Sequence, residues 1–332
     1  TAGTRALRGL MTQAESKTVT PRVYKQYAYY HRQLEAWCIH TSRVLEIETI
    51  DVTLVDYLDV LMERDRKVGE AEKSVAAAVF FLVGCQKKKL VRTRRALKGF
   101  SKARPQLSRL PLPEEVLYGL VMISLGLGEW NFAVAMMCCF CLYLRPHELL
   151  EVRCIDLGLP MVGHNNQMRF HSLTIAPWEV GKPSKTLTYD DTLIVDTPAW
   201  LGEMLERLTV GRSQQAPLFN LTRQELQAKW NNACAKLGVK AHVYQNRHGG
   251  ASRDTLGKVR TPREVLARGR WRTLQSLARY AKGGLLQKTW QRLPSAQQAF
   301  CLRSGEMIEQ VVRGSSPALL APKVVKVVNL VR

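Results

Sequence analysis

Apolar side chains recur at helical spacing through the first third of the chain. Residues three or four positions apart share one face of a helix, so this spacing predicts amphipathic helices. The first apolar stripe follows Thr20 and Pro21, which suit the N-cap and the first position of a helix. Its members are Val23, Tyr27, Tyr30, Leu34 and Trp37. Two further stripes begin at Leu54 and Ala71, so we expect a small helical bundle.

The pattern changes after residue 113. Two strongly apolar stretches extend to Leu144 and predict buried helices. Residues 168–175 and 187–195 then alternate between apolar and polar, with turn-forming residues between them, which predicts a β-hairpin. Thr222 and Thr261 each precede a Glu by three residues, which matches a capping box and predicts two helix starts. The whole pattern predicts a mainly helical fold with a small β-hairpin or sheet.

Proline and glycine positions suggest how the chain is divided. The stretch 105–113 contains three prolines and predicts an interdomain linker. We expect an N-terminal extension at 1–19, a helical domain at 20–104, a second domain at 114–313 and a tail at 314–332. Gly283 and Gly284 are expected to end the helix before them.

The charge balance indicates a partner made of phosphate. Lys and Arg outnumber Asp and Glu by 49 to 28, which gives a net charge of +21 over 332 residues and favours nucleic acid over a membrane. Residues 84–113 hold ten basic residues and no acid. Apolar residues among them allow a helix with one packed side, so we expect the cations to contact DNA; a neutral solvated face or a nuclear import signal is the alternative. The DNA-binding candidates are Lys87, Lys88, Lys89, Arg92, Arg94, Arg95, Lys98 and Lys102.

Cysteine usage and apolar run lengths bear on the compartment. Four of the eight cysteines cluster at 138–154 without zinc-ligand spacing, so buried reduced thiols are expected. The longest apolar region is broken at 129–131 and is too interrupted to span a bilayer. The sequence opens at Thr1 without a Met or a signal pattern, so we expect a processed, excised or partial chain. We predict an intracellular protein, nuclear if its source is eukaryotic.

Three separated motifs carry the candidate chemistry. Arg145-Pro-His-Glu148 follows an apolar helix, Tyr244-Gln-Asn-Arg247-His248 lies about a hundred residues later, and Gly269-Arg-Trp271 precedes Tyr280 by nine residues counted from the tryptophan. An arginine at the end of an apolar helix needs an anionic or carbonyl partner. From the residues alone, an internal ion pair of Arg145 with Glu148 or Asp156 is the simplest interpretation.

The three motifs, in this order and spacing, resemble the conserved boxes of the tyrosine recombinases, the phage integrase and Cre-like superfamily. Their details are most similar to recombinases of DIRS or Crypton mobile elements. The resemblance covers roughly residues 114–285. It implies a two-domain, C-shaped clamp, with a helical core-binding domain and an α+β catalytic domain gripping opposite sides of double-stranded DNA. It also implies a homo-tetramer on DNA, for which 285–313 is the candidate docking segment.

The resemblance assigns roles to individual residues. Arg145 and Arg247 would bind the scissile phosphate, Tyr280 would attack it to form a 3′-phosphotyrosyl link, and Trp271 would donate an indole N–H. Glu148 and Asp156 would be structural supports. A hairpin lysine, Lys185 or alternatively Lys182, would act as general acid on the leaving 5′ oxygen. No metal ion or nucleotide cofactor is implied.

One position departs from the family pattern. Tyr244 stands where the family usually has His or Lys, and a phenol is a weak base near neutral pH although it can donate a hydrogen bond. Either Tyr244 is only a donor, or His242 or His248 supplies the base, or activity is reduced.

The resemblance predicts a site-specific recombinase that integrates or excises DNA. The alternatives are an inactive, domesticated DNA-binding relative and a type IB topoisomerase-like enzyme that relaxes DNA. A metal-dependent nuclease is disfavoured, because Asp190 and Asp191 lack spaced carboxylate partners in the sequence.

Overall fold

The computed structural model describes two compact units. Contacts divide the chain into Thr1–Leu107, here unit 1, and Ser108–Arg332, here unit 2. The described residues are 13–105, 110–161, 169–181, 184, 188–278, 283–324 and 326–331. The division falls within the stretch predicted to be the linker, while the other domain boundaries stay predictions.

Unit 1 is helical in its described part. The predicted bundle is confirmed: the three apolar stripes form α2 to α4, and the middle of the basic stretch forms α5. The helices are α1 Gln13–Ser16, α2 Pro21–His40, α3 Ile50–Glu63, α4 Val68–Phe81 and α5 Val91–Ala103. Thr20 caps α2 through its side chain, and Pro21 is the first helical residue, as predicted. Leu34, Leu54, Leu58 and Leu90 lie in the shared core.

The basic helix α5 is anchored to α3 by one carboxylate. Asp51 accepts hydrogen bonds from the backbone N–H groups of Arg92 and Thr93, at 2.9 and 2.8 Å, and from the Thr93 hydroxyl at 2.7 Å. A negative group at a helix N-terminus satisfies N–H donors that the helix itself leaves unpaired. Thr93 and Phe100 are buried, while the apolar Val91 is exposed. The cations of α5 are therefore presented from a fixed helix.

Unit 2 is built around a helix that is buried on all sides. Every residue from Phe132 to Cys141 in α7 is buried, which is typical of a central core helix. The capping boxes predicted at Thr222 and Thr261 are confirmed. The helices are α6 Glu114–Gly126, α7 Trp130–Cys141, α8 Pro146–Glu151, α9 Ala199–Thr209, α10 Arg223–Leu237, α11 Gln245–Leu256, α12 Pro262–Gly269, α13 Leu274–Ala278, α14 Gly283–Gln291 and α15 Ser295–Val312.

A three-stranded antiparallel sheet packs against these helices. Its strands are β1 Leu157–Gly158, β2 His171–Ile175 and β3 Asp191–Val195, in the order β1-β2-β3. Leu173 is opposite Leu157 on one side and Leu193 on the other. The inward residues of β2 alternate with half-buried ones, as one packed sheet face requires. The predicted hairpin, and the mainly helical fold with a small sheet, are confirmed.

The C-terminal part of the chain packs back onto unit 2. Helix α15 lies against α6 and places Phe300, Cys301 and Ile308 in the core. Much of the predicted docking segment 285–313 is thus part of its own unit. The predicted tail is also packed, since strand β5 Val328–Asn329 pairs in parallel with β4 Val239–Lys240. Gly283 and Gly284 lie in α14. The helix that they were predicted to end would lie at residues 279–282, outside the described residues, so its end at these glycines stays a prediction.

All eight cysteines are buried and unpaired, as predicted, and burial raises the pKa of Cys234 to about 12. Such thiols are poor nucleophiles. No helix in the described part of the chain is both long and apolar enough to cross a membrane.

Candidate active site

Arg145 lies where the central helix α7 gives way to the short helix α8. It is the N-cap of α8 and only 8% exposed. Its backbone N–H donates to Glu148 Oε2 at 2.7 Å, and its guanidinium donates to Glu148 Oε1. Of the two acids considered from the sequence, Glu148 is the partner of Arg145. Asp156 instead binds Arg153, with Nη2 and Oδ1 2.7 Å apart.

Arg247 lies in the first turn of α11 and is 1% exposed. Its two terminal nitrogens donate to the carbonyls of Tyr143 and Gly269, the second at 2.5 Å. Its Nη1 lies 3.8 Å from Glu148 Oε2, and its guanidinium carbon lies 4.9 Å from the centre of the Trp271 ring. Burial, together with the neighbouring Arg145 and Arg270, lowers the pKa of Arg247 to about 10. The helix and the two carbonyls thus fix the guanidinium beside Glu148.

Trp271 completes this side of the site. Its ring stacks on that of Tyr143, with centroids 6.0 Å apart and planes 20° apart. Tyr143 adopts a positive φ of 49°, a conformation that ordinary residues rarely adopt and that is often found at functional sites. The Tyr143 hydroxyl donates to Asp254. The sequence motifs gave no role to Tyr143 or Asp254, which act as supports beneath Arg247 and Trp271.

Asp254 is fully buried and accepts hydrogen bonds from three side chains. Besides the Tyr143 hydroxyl, it accepts hydrogen bonds from Arg253 Nε at 2.7 Å and from Arg260 Nε at 2.9 Å. Arg260 also donates to Asp196 at 2.6 Å. A buried carboxylate is stable only when its acceptor sites are filled in this way. Arg253 and Arg260 are near Asp254 in the sequence, but Tyr143 and Asp196 are distant from it. The sequence motifs therefore gave no signal for the whole network.

Arg270 is a third arginine at the site, and the sequence motifs gave it no role. Its Nη2 donates to Glu148 Oε2 at 2.5 Å. Glu148 therefore binds two guanidinium groups directly and lies close to that of Arg247. Burial opposes ionisation of Glu148, but Arg270, the Arg145 backbone N–H and the Arg145 side chain outweigh it and lower its pKa. The motif Gly269-Arg-Trp271 was the available signal, but only the fold shows that its arginine faces Glu148.

Tyr244 lies at the N-terminus of α11 beside a groove of about 480 Å³. Arg145, His242 and Tyr244 all line this groove. The Tyr244 ring lies 5.2 Å from the His248 ring, centre to centre. His242 is exposed and His248 half-buried. The structure thus brings Tyr244 and both candidate histidines to the vicinity of Arg145 and Arg247, and their chemical roles stay predictions.

Gln245 ties this segment to two distant parts of unit 2. Its side-chain nitrogen donates to the carbonyls of Leu110 and Leu330 at 2.9 and 2.8 Å, and its side-chain oxygen accepts from the His242 N–H at 2.7 Å. The side chain is almost fully buried. One residue therefore links the end of the predicted linker and the C-terminal strand to the loop that carries Tyr244.

Three predicted catalytic residues fall outside the described part of the chain: Tyr280, Lys182 and Lys185. Their positions and roles stay predictions. The described residues on either side show where they connect. Ala278 in α13 is the last described residue before Tyr280. The Trp178 and Tyr189 rings, 4.6 Å apart between centroids, lie on either side of the stretch that contains Lys182 and Lys185.

The DNA-binding candidates of unit 1 are all exposed: Lys87, Lys88, Lys89, Arg92, Arg94, Arg95, Lys98 and Lys102. The first three precede α5, and the other five lie on it. This exposure is compatible with either contact to DNA or a solvated face, so their role stays a prediction.

Comparison with known proteins identifies the fold. No protein-family model and no curated protein matches the sequence. Among solved structures, the Tn1549 transposon integrase in complex with transposon right end DNA is 12% identical, with a TM-score of 0.57 over 84% of this chain and 92% of that one.

Two other recombinases match less well. XerA recombinase is 12% identical with a TM-score of 0.36, over 84% of this chain and 94% of that one. XerH site-specific recombinase bound to its difH substrate is 14% identical with a TM-score of 0.40, over 83% and 89%. Because a TM-score below 0.5 does not establish a shared fold, the fold is inferred from the first comparison. The chain has the fold of the tyrosine recombinases and integrases, as predicted, and the DIRS or Crypton type stays a prediction.

Proposed function

We propose that this protein is a DNA strand-exchange enzyme of the tyrosine recombinase type, which cleaves and rejoins DNA through a 3′-phosphotyrosyl intermediate. One observation supports this most strongly: Arg145 and Arg247, a hundred residues apart, lie on the same carboxylate beside Trp271, within a recombinase fold. Two buried arginines held together in this way suit a phosphate ligand, because each offers forked hydrogen bonds and a permanent charge.

In the proposed reaction, the Tyr280 oxygen forms a bond to the scissile phosphorus and the bond to the 5′ oxygen breaks. The tyrosine proton leaves to a base, and the departing 5′ oxygen takes a proton from Lys185 or Lys182. The phosphotyrosyl bond retains the energy of the phosphodiester, so a second 5′ hydroxyl can reverse the step and join a new strand.

Arg145 and Arg247 would stabilise the negative charge that develops on the nonbridging oxygens. Donors fixed before the reaction need little reorganisation, and removing one such donor typically costs about a hundredfold to a thousandfold in rate. The Tyr143 and Gly269 carbonyls and the Trp271 ring supply that fixation for Arg247. Tyr244 would add a hydrogen-bond donor, and His248 or His242 would be the available bases.

Exchange between two duplexes requires four nucleophiles, so we propose a tetramer on double-stranded DNA. Helix α15 is committed to the core of its own unit. The parts of 285–313 available for contact with a neighbour are thus the outward sides of α14 and α15, where Leu285 and Leu302 are exposed.

A second candidate is an inactive DNA-binding relative. Tyr244 favours it, because a phenol replaces the basic residue usual at this position. Such a protein would retain the exposed cations of α5 and the buried arginines without the chemistry.

The two candidates are separated by a nicked suicide DNA substrate. Cleavage of such a substrate releases a short strand, so the covalent complex cannot be resealed and survives denaturation. We expect wild type, incubated with a pool of nicked duplexes of random sequence, to form this adduct. Absence of any adduct would favour the inactive binder. Relaxation of supercoiled plasmid without exchange products would favour the topoisomerase-like alternative.

A further inference from the structure

We propose that Arg270 is a third phosphate-binding arginine, which contacts the same DNA phosphate as Arg145 and Arg247. This assignment rests on the proposed function, because it adds a contact within the same site. Three independent features of Arg270 support it: its backbone conformation, its unpaired donors and its share of the local charge.

The backbone of Arg270 is in a conformation that favours glycine. Its φ and ψ are 52° and 44°, at the end of α12. Its N–H and that of Trp271 bond back to the Ala267 and Leu266 carbonyls, each at 3.0 Å. Glycine is the usual residue at such a helix end, because a Cβ is unfavourable there. An arginine is therefore present despite a conformational cost, and a functional reason is indicated.

The side chain of Arg270 is buried and incompletely paired. It is 8% exposed, and Nη2 bonds to Glu148. Its Nε and Nη1 are buried and have no hydrogen-bond partner among the described residues, and the same holds for Arg247 Nε. Buried donors without acceptors are destabilising and uncommon. A ligand with several acceptor oxygens would satisfy them.

The local charge favours an anion. Three guanidinium groups lie around the single carboxylate of Glu148. Burial lowers the pKa of Arg270 and the charge of Arg145 lowers it further, while the carboxylates of Glu148 and Asp191 partly offset both effects. A phosphate would relieve the repulsion among the three arginines, and its geometry matches forked donors.

The proposal is tested by replacing Arg270 with glycine, the residue that its backbone conformation favours. Arg270→Gly removes the guanidinium and relieves the left-handed conformation, so the fold should be retained. Arg270→Gln serves as a second variant that keeps a polar side chain without charge. Arg263→Gln is the matched control, because it removes one exposed positive charge from the same helix.

The experiment is a titration of the full chain with inorganic phosphate at constant ionic strength, followed by calorimetry. We expect saturable binding by wild type and by Arg263→Gln with equal dissociation constants, and binding about tenfold weaker in both Arg270 variants. Equal binding by wild type and Arg270→Gly would overturn the assignment. So would an equal loss in Arg263→Gln, which would indicate general charge attraction, or the absence of saturable binding by wild type.

The nicked-DNA assay separates this inference from the proposed function. If wild type binds phosphate but forms no adduct, and Arg270→Gly binds phosphate more weakly than wild type, the phosphate contact is supported and the enzyme proposal fails. If wild type forms the adduct, and Arg270→Gly matches it in both adduct formation and phosphate binding, only the assignment of Arg270 is wrong.

Discussion

The two groups of positive charge in this protein differ in how they are held. The cations on and before α5 are exposed to solvent, and the helix that carries most of them is fixed by Asp51. Arg145, Arg247 and Arg270 are buried around Glu148, and backbone carbonyls hold Arg247 as well. Exposed charges attract phosphate at long range and are screened by salt. Buried charges act at short range on one fixed position.

The comparison shows that net charge alone does not indicate where an active site lies. Unit 1 holds most of the acid-free basic run, yet the eight cations of that run from Lys87 to Lys102 are exposed to solvent. The three arginines around Glu148 in unit 2 are fewer than these cations, and they are held in fixed positions, as a developing charge requires. Under the proposed function, we expect the first group to contribute mainly to DNA affinity and the second mainly to catalysis.

The largest effect is expected from Arg247→Lys. Lysine keeps the charge but cannot bond to the Tyr143 and Gly269 carbonyls while also presenting a forked donor. We expect adduct formation on nicked DNA to fall about a thousandfold, with Arg263→Gln unchanged. An activity within a few-fold of wild type would show that Arg247 is a structural residue, and the division between the two groups would no longer hold.

A second large effect is expected on stability from Glu148→Ala. Removal of the carboxylate leaves buried arginines without their shared partner. We therefore expect the free energy of unfolding, measured in urea, to fall by about 3 kcal/mol. Glu179→Ala breaks an exposed ion pair with Arg153 and should leave the urea midpoint unchanged.

The same carboxylate predicts a pH dependence. Its pKa is lowered in the folded state, so its stabilising effect is complete above the ordinary glutamate pKa and is lost as pH falls through the lower, folded value. Glu148→Gln should flatten the acid limb of the stability curve. An identical acid limb in both proteins would contradict the ion pairs around Glu148.

A moderate loss of stability is expected from Gln245→Ala, which removes two buried hydrogen bonds and one partly buried hydrogen bond without changing charge. We expect the free energy of unfolding in urea to fall by about 2 kcal/mol, and the loop that carries Tyr244 to be less firmly fixed. Gln227→Ala, which affects an exposed Gln227–Asn231 hydrogen bond on α10, is the control. Equal stability of the two variants would show that the Gln245 contacts contribute little.

The smallest effect per residue is expected on DNA affinity, from substitution of the α5 cations. Replacing Arg92, Arg94, Arg95 and Lys98 with Gln should reduce the slope of log affinity against log salt by about 0.9 for each DNA phosphate that the helix no longer neutralises. Fluorescence anisotropy with duplex DNA over a range of salt concentrations measures this slope. An unchanged slope would favour a neutral solvated face, the alternative interpretation of this basic run.

Features with local causes were predictable from the sequence. The stripe that begins at Val23 and the capping boxes at Thr222 and Thr261 depend on residues within a few positions of each other, and each is confirmed. The sequence motifs also predicted Arg145 and Arg247 to be site residues, because the order and spacing of the motifs resemble those of a known family. The fold then places both beside Glu148.

Features with distant partners were not predictable. Arg270 and Glu148 are 122 positions apart, and a glycine-like conformation at an arginine leaves no mark in the sequence. The two-residue strand β5 is too short to be recognised from alternation, so a packed segment was expected to be a tail. The Gln245 contacts to Leu110 and Leu330 likewise arise only when three segments meet.

The most direct test of the proposed chemistry is to identify the amino acid that becomes linked to DNA. Adducts trapped on nicked DNA can be digested with protease and nuclease and analysed by mass spectrometry. We expect a nucleotide on Tyr280 and no adduct from Tyr280→Phe, with Tyr244→Phe still forming the link at Tyr280. A link at Tyr244 or any other residue, or an adduct that persists in Tyr280→Phe, would contradict the assignment of Tyr280 as the nucleophile.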